Sequence, residues 1–130
     1  MLYFYRPIIF SECHAALGME DGNITDGQIS ASSEKSASQK AIQGRLHFQN
    51  APSLAGGWTA GSNNLNQWFQ IDLDSEYAKV TMVATQGRDA GGGTKQWVTM
   101  YKLQYGNNGV HFRYYRQQGQ TASKVKLKQI

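Results

Sequence analysis

The sequence predicts an all-β fold, an antiparallel sandwich or jelly roll, on three observations. Short runs rich in β-branched and aromatic residues alternate with period two. Long polar or glycine-rich stretches separate those runs. No segment carries a pronounced helical apolar face. The chain has 130 residues, among them 14 Gly, 7 Tyr, 5 Phe and 3 Trp, enough for one domain with a core and too few for two. An apolar content of 40% with 17% charged residues excludes a disordered chain, a coiled coil and a multi-pass membrane protein.

Taken in order, Ser36 to Leu46 is the longest stretch resembling a helix, with weak apolar periodicity. In Trp68 to Leu73, the residues Phe69, Ile71 and Leu73 share one strand face, and Asp72 lies on the other, where it can pair with an arginine or cap a turn. In Tyr77 to Gln86, Ala78, Val80, Met82 and Ala84 share a face. Trp97 to Tyr105 alternates Thr99, Tyr101, Leu103 and Tyr105 with Val98, Met100, Lys102 and Gln104. Gly106-Asn107-Asn108-Gly109 reads as a tight hairpin turn into Phe112–Tyr115, because Asn and Gly tolerate positive φ. Lys124-Val125-Lys126-Leu127-Lys128 suits an edge strand, where lysines discourage sheet-to-sheet pairing.

Charge is unevenly distributed. Residues 1–89 hold all nine acidic residues and six Lys or Arg, whereas 90–130 hold seven Lys or Arg and no acid. Such a tail favours polyanions, unless it is simply a solvated basic edge. The apolar opening Met1 to Phe10 is too short to span a bilayer, and Arg6, Pro7 and the lack of a clean small-residue cleavage site argue against a signal remnant, so it is read as an undefined extension. The lone Cys13 makes neither an internal disulfide nor a thiolate zinc cage. His14, His47 and His111 lack metal spacing, and no G-x-S-x-G occurs. Nothing points to catalysis. No cofactor is expected. Asp21, Asn23 and Asp26 are oxygen-rich enough for calcium, but turn formation by Asx side chains is the preferred reading.

Several strings then fall into a known order: Cys13, Leu17 to Gly22, Ile24 to Ser33, Gly44-Arg45-Leu46, Gly57-Trp58, Gln67 to Leu73, Val80-Thr81, Ala84 to Arg88 and Gln96 to Tyr105. Together they resemble the coagulation factor 5/8 type C, or discoidin, domain from Cys13 to Tyr115. The resemblance implies an eight-stranded antiparallel jelly-roll sandwich of galactose-binding-like architecture, extracellular and non-catalytic. It divides the chain into an extension (1–12) and an incomplete domain (13–130). The strands and closing cysteine that a typical member adds after the hairpin find no match in Gln117 to Ile130, so the domain is expected to lack its last strands and to be less stable for it. Trp58, Trp68 and Trp97 match structural positions and are expected in the core. Arg45 is expected to pair with a carboxylate.

The resemblance also implies that three loops at one end of the barrel meet the ligand: Ser33 to Gln43, Asn50 to Gly57 and Gly87 to Lys95. Their candidate contacts are Lys35, Gln39, Lys40, Ile42, Asn50, Leu54, Arg88, Asp89 and Lys95. Arg88 matches a collagen-contacting arginine of the discoidin-domain receptors, although pairing with Asp89 or another acid is the slightly preferred reading. The first loop lacks the exposed aromatics of phospholipid-binding members, leaving Ile42, and Leu54 in the second loop, as the only large apolar candidates. The expected function is a cell-adhesion or recognition module, part of a larger protein, that binds a cell-surface glycan or matrix protein and no nucleic acid. The alternatives are peripheral contact with anionic phospholipid, or the carbohydrate-targeting appendage of a secreted glycosidase.

Overall fold

The computed structural model describes residues 15–74, 80–90 and 93–116 and the backbone of 125–126. The described residues form short strands and two 3-10 turns, with no α-helix among them, and every paired strand is antiparallel. The chain divides into two compact units, Met1–Gln96 and Trp97–Ile130.

The first unit is organised by β1 (Ile29–Ala31) and β2 (Phe69–Ile71). Their register is Ile29↔Ile71, Ser30↔Gln70 and Ala31↔Phe69. Backbone bonds extend the ladder at both ends, with Asp72 N donating to Gln28 O and Ser32 N to Trp68 O. The alternation expected of Phe69, Ile71 and Leu73 holds. All three pack against the buried cluster of Met19, Ile24, Ile29 and Ala41, joined by Leu17, Ala31 and Trp58. Directly opposed residues of an antiparallel pair share a face, so Ile29 and Ala31 turn to the same core.

Two local devices frame this core. Gly18 adopts φ +110°, and its carbonyl accepts hydrogen bonds from Gly22 N and Ile24 N. A Cβ there would lie 2.4 Å from Asn23 Cβ, so only glycine permits the turn that delivers Met19 and Ile24 inward. The 3-10 turn Asp26–Gln28 leads into β1. Its Gln28 Oε1 accepts from Thr25 N and Oγ1, while Gln28 Nε2 donates to Asp72 O. One amide thereby closes the turn and joins it to the end of β2.

Within Ser36 to Leu46 the helical element is a 3-10 turn, Ala41–Gly44, whose Ala41 N donates to Glu34 Oε1. Arg45 pairs with a carboxylate as expected. Its guanidinium donates to Asp26 Oδ1 at 2.5 Å and to Met19 O at 3.3 Å. Asp21 accepts from both Asn23 nitrogens, so these Asx groups form turn contacts. Asp72 caps a turn, its Oδ1 accepting from Asp74 N.

Trp58 behaves as a core residue, with its ring tilted against Phe69 at a centroid separation of 5.3 Å and its Nε1 donating to Ser33 O. Trp68 and Trp97 do not, being 51% and 57% exposed. Strand alternation explains Trp68: it neighbours the inward Phe69 and so faces outward. The segment expected as a strand from Tyr77 to Gln86 is irregular over residues 80–87, while Tyr77 and Ala78 lie outside the described residues. Val80 and Met82 are exposed there, because no strand pairs with this segment among the described residues to fix one inward face. The third loop does end in a ladder, β3 (Arg88–Asp89) against β4 (Lys95–Gln96).

In the second unit, β5 (Met100–Tyr101) pairs with β8 (Val125–Lys126), and β6 (Gln104–Tyr105) with β7 (Arg113–Tyr114). The hairpin is where it was expected, but its turn is not tight, since residues 106–112 separate the two strands. Asn108 organises that connection through Oδ1, which accepts from Val110 N and His111 N. The expected continuous strand Trp97 to Tyr105 is instead two short ones, β5 and β6. Met1 to Phe10 and Cys13 lie outside the described residues.

Candidate functional site

The three expected loops are stitched together, largely through the main chain. The first joins the second through Ala55 N to Ser38 O (2.8 Å), and joins Thr59, just beyond the second, through Lys35 N to Thr59 O (2.9 Å) and Thr59 N to Gln39 O (3.3 Å). The second loop closes on itself through reciprocal Ala51 and Leu54 backbone bonds. It meets the third where Asn50 Nδ2 donates to Asp89 O at 2.9 Å. Gly56 and Gly57 allow this approach. A Cβ on Gly57 would lie 3.1 Å from Arg88 Cβ, and one on Gly56 would lie 2.9 Å from Asn50 Oδ1.

At this junction lies a cleft of about 350 Å³, lined by Phe48, Gln49, Asn50, Gly56, Gln86, Gly87, Arg88 and Asp89. Its walls combine one aromatic ring, three side-chain amides, a guanidinium and a carboxylate. Arg88 is fixed in place, because Nε and Nη2 both donate to Gln96 Oε1, at 3.1 and 2.7 Å. The β3–β4 register sets this contact by placing Arg88 opposite Gln96. The partner is an amide, so the guanidinium keeps its charge uncancelled by that contact. Amides and guanidinium together supply donors and acceptors for a hydroxyl-rich or anionic group.

Of the nine expected contacts, Asn50, Arg88 and Asp89 come together on this cleft. Lys95 stands opposite Asp89 in the ladder and is exposed, but does not line the cleft. Lys35 and Lys40 are exposed elsewhere on the first loop, and Ile42 is half-buried in the 3-10 turn. Gln39 is used within the fold: Nε2 donates to Thr59 Oγ1 and Oε1 accepts from Ser36 Oγ. Leu54 sits at the second loop's turn, 39% exposed.

Phe48, Gln49 and Gln86 are cleft residues that the sequence reading missed. Each lies just before an expected loop, and adjacency to the loop boundary is the only signal that marks them. Among the described residues no group of three or more His, Cys, Asp or Glu is placed to hold a metal ion.

Comparison with known proteins gives a consistent picture. The family model described as F5/8 type C domain matches residues 28–129. That span starts later than the resemblance read from sequence and runs further, so that 117–129 falls inside it. Coagulation factor V of Sus scrofa is 37% identical over 117 residues, covering 87% of this chain and 5% of that protein. Lactadherin of Sus scrofa is 38% identical over 122 residues, covering 88% and 28%. The human EGF-like repeat and discoidin I-like domain-containing protein 3 is 36% identical over 118 residues, covering 88% and 24%. The chain thus spans about a twentieth to about a quarter of the length of these relatives.

Proposed function

The chain belongs to the F5/8 type C domain family, a β-sandwich family, and from that premise we propose that it is an extracellular, non-catalytic binding module for cell adhesion or recognition. Its ligand is a cell-surface glycan or matrix protein, held at the junction of the second and third loops. One observation carries this reading: the cleft sets Phe48 beside Gln49, Asn50, Gln86 and Arg88. An apolar ring among convergent hydrogen-bonding groups is the usual composition of a specific polar-ligand pocket. A hydroxyl-rich ligand would rest its C–H face on the ring and exchange hydrogen bonds with the amides, with Arg88 supplying a charge-assisted bond.

Peripheral binding to anionic phospholipid is less well supported. Leu54 is the only expected loop contact with an exposed large apolar side chain among the described residues. One such side chain contributes about 1.5–3 kcal/mol at full burial, too little against the entropic cost of association.

The test is a glycan array and a panel of matrix proteins, run with the native chain and with Asn50→Ala and Arg88→Ala. Binding that both variants weaken, with far-ultraviolet spectra unchanged, supports the cleft. Undiminished binding by both variants refutes it. Binding only to phosphatidylserine vesicles would shift the assignment to lipid.

A further inference from the structure

The turn that leads into β1 carries a motif that the loop cleft does not use. Asn23-Ile24-Thr25 is the one place in the chain where an Asn is followed two residues on by Ser or Thr, with a residue other than Pro between them. That spacing is the acceptor sequence for N-linked glycosylation, which secreted chains meet on their way out of the cell. A three-residue motif recurs by chance in many chains, so its placement in the fold decides whether it can be used.

Here the placement is favourable. Ile24 is 3% exposed and belongs to the buried cluster with Met19, Ile29 and Ala41, whereas Asn23 and Thr25 on either side of it are exposed. The backbone around Asn23 is held: Gly22 N and Ile24 N both donate to Gly18 O, and Asn23 N donates to Asp21 Oδ1 at 3.0 Å. Asn23 Nδ2 donates to Asp21 Oδ2 at 2.8 Å, which uses one of the two hydrogens of a primary amide. A sugar that replaces the other hydrogen leaves the bond to Asp21 in place and displaces nothing buried. Thr25 gives the order of events. In the closed turn its Oγ1 donates to Gln28 Oε1 at 3.0 Å. The transferase reads that same hydroxyl, so attachment belongs to the chain before this turn closes.

We propose that Asn23 is an N-glycosylation site, modified as the chain is translocated and accommodated by the finished fold. The proposal rests on the extracellular placement in the reading above and not on the cleft. In the step, Nδ2 forms a bond to the anomeric carbon of an oligosaccharide carried on a lipid pyrophosphate. The bond from that carbon to the pyrophosphate oxygen breaks, the pyrophosphate leaves with the electron pair, and one proton leaves Nδ2. Nothing is oxidised or reduced. The glycan places bulky, solubilising cover over the turn beside the core.

The test expresses the full chain behind a cleavable secretion signal in cultured animal cells and follows its electrophoretic mobility before and after treatment with peptide-N-glycosidase. The chain should migrate more slowly than the bare polypeptide and return to it on treatment, with mass spectrometry finding the enzyme's amide-to-carboxyl conversion at Asn23. Asn23→Gln and Thr25→Ala should each abolish the shift. Thr25→Ser keeps the hydroxyl and should retain it. Because attachment precedes folding, the shift is read in cell extracts as well as in the medium, so a variant that fails to fold still reports. The added signal supplies the compartment, so a chain without glycan overturns this proposal alone, whereas the binding assays with Asn50→Ala and Arg88→Ala bear only on the cleft. The proposal is overturned by any of three results: no shift on treatment, a shift that survives Thr25→Ala, or a glycan confined to retained chain while the secreted chain is bare.

Discussion

Gly44→Ala probes the packing on which the loop end rests. Gly44 closes the 3-10 turn Ala41–Gly44. A Cβ at this position would lie 2.5 and 2.7 Å from two ring carbons of Phe69 and 3.5 Å from Trp58 Cβ. Carbon atoms pack best at about 3.5–4.0 Å, so the ring must retreat by about 1 Å. It has little room, since it rests against Trp58, which is tied to Ser33 O through Nε1, and lies in the cluster around Met19 and Ile29. Overpacking of this kind costs about 1–3 kcal/mol. Gly44 has no positive φ, so alanine also reduces the freedom of the unfolded chain and returns about 0.4–1 kcal/mol. The expected balance is a destabilisation of about 1–2 kcal/mol, or about 4–7 °C in Tm. Urea unfolding followed by tryptophan fluorescence measures it. The same substitution in a Phe69→Leu background, where the ring is gone, should be neutral or stabilising, and the double-mutant cycle isolates the contact. A Gly44→Ala chain as stable as the parent, or an equal cost in both backgrounds, would refute the reasoning.

Three further outcomes are expected. Arg45→Ala should cost about 1–2 kcal/mol in denaturant unfolding, chiefly by stripping the Met19 carbonyl of its partner, because the pair with the 64%-exposed Asp26 contributes little alone; Arg45→Lys should recover only part, as a single ammonium does not reproduce a fork reaching two oxygens. Trp58→Phe keeps the ring against Phe69 but removes the donor to Ser33 O, and should lower stability by about 1 kcal/mol in thermal unfolding. Asn50→Ala breaks the bond to Asp89 O on an exposed surface, so it should change Tm by less than about 3 °C while ligand affinity falls at least severalfold in the binding assay.

The parts of the fold that the sequence revealed are those encoded locally. Alternation along Phe69, Ile71 and Leu73 was enough to identify an inward face, because strand geometry ties every second residue to one side. The structural role expected for Arg45 also holds: its guanidinium is mostly buried and reaches Asp26 Oδ1 and Met19 O. The errors have equally specific causes. Residue type does not determine which face a side chain occupies, so Trp68 was read as core although its neighbour Phe69 takes that place. Residues 80–87 carry an alternating pattern without a pairing partner among the described residues, and pattern alone does not make a strand. The cleft could not be read because its two halves, around Phe48–Asn50 and Gln86–Asp89, are distant in sequence and meet only through folding. For Arg88 the reading anticipated an acid, whereas the β3–β4 register offers it the Gln96 amide.

The hydrogen bonds that bind the first loop to the second and to the residues just after it run between peptide groups: Ala55 to Ser38, Lys35 to Thr59 and Thr59 to Gln39. Peptide groups are common to nearly every residue type. Substitutions at the exposed tips can therefore alter what is recognised without dismantling the scaffold that presents them, so this end of the molecule is suited to diversify by point mutation and to serve as a platform for selecting new specificities.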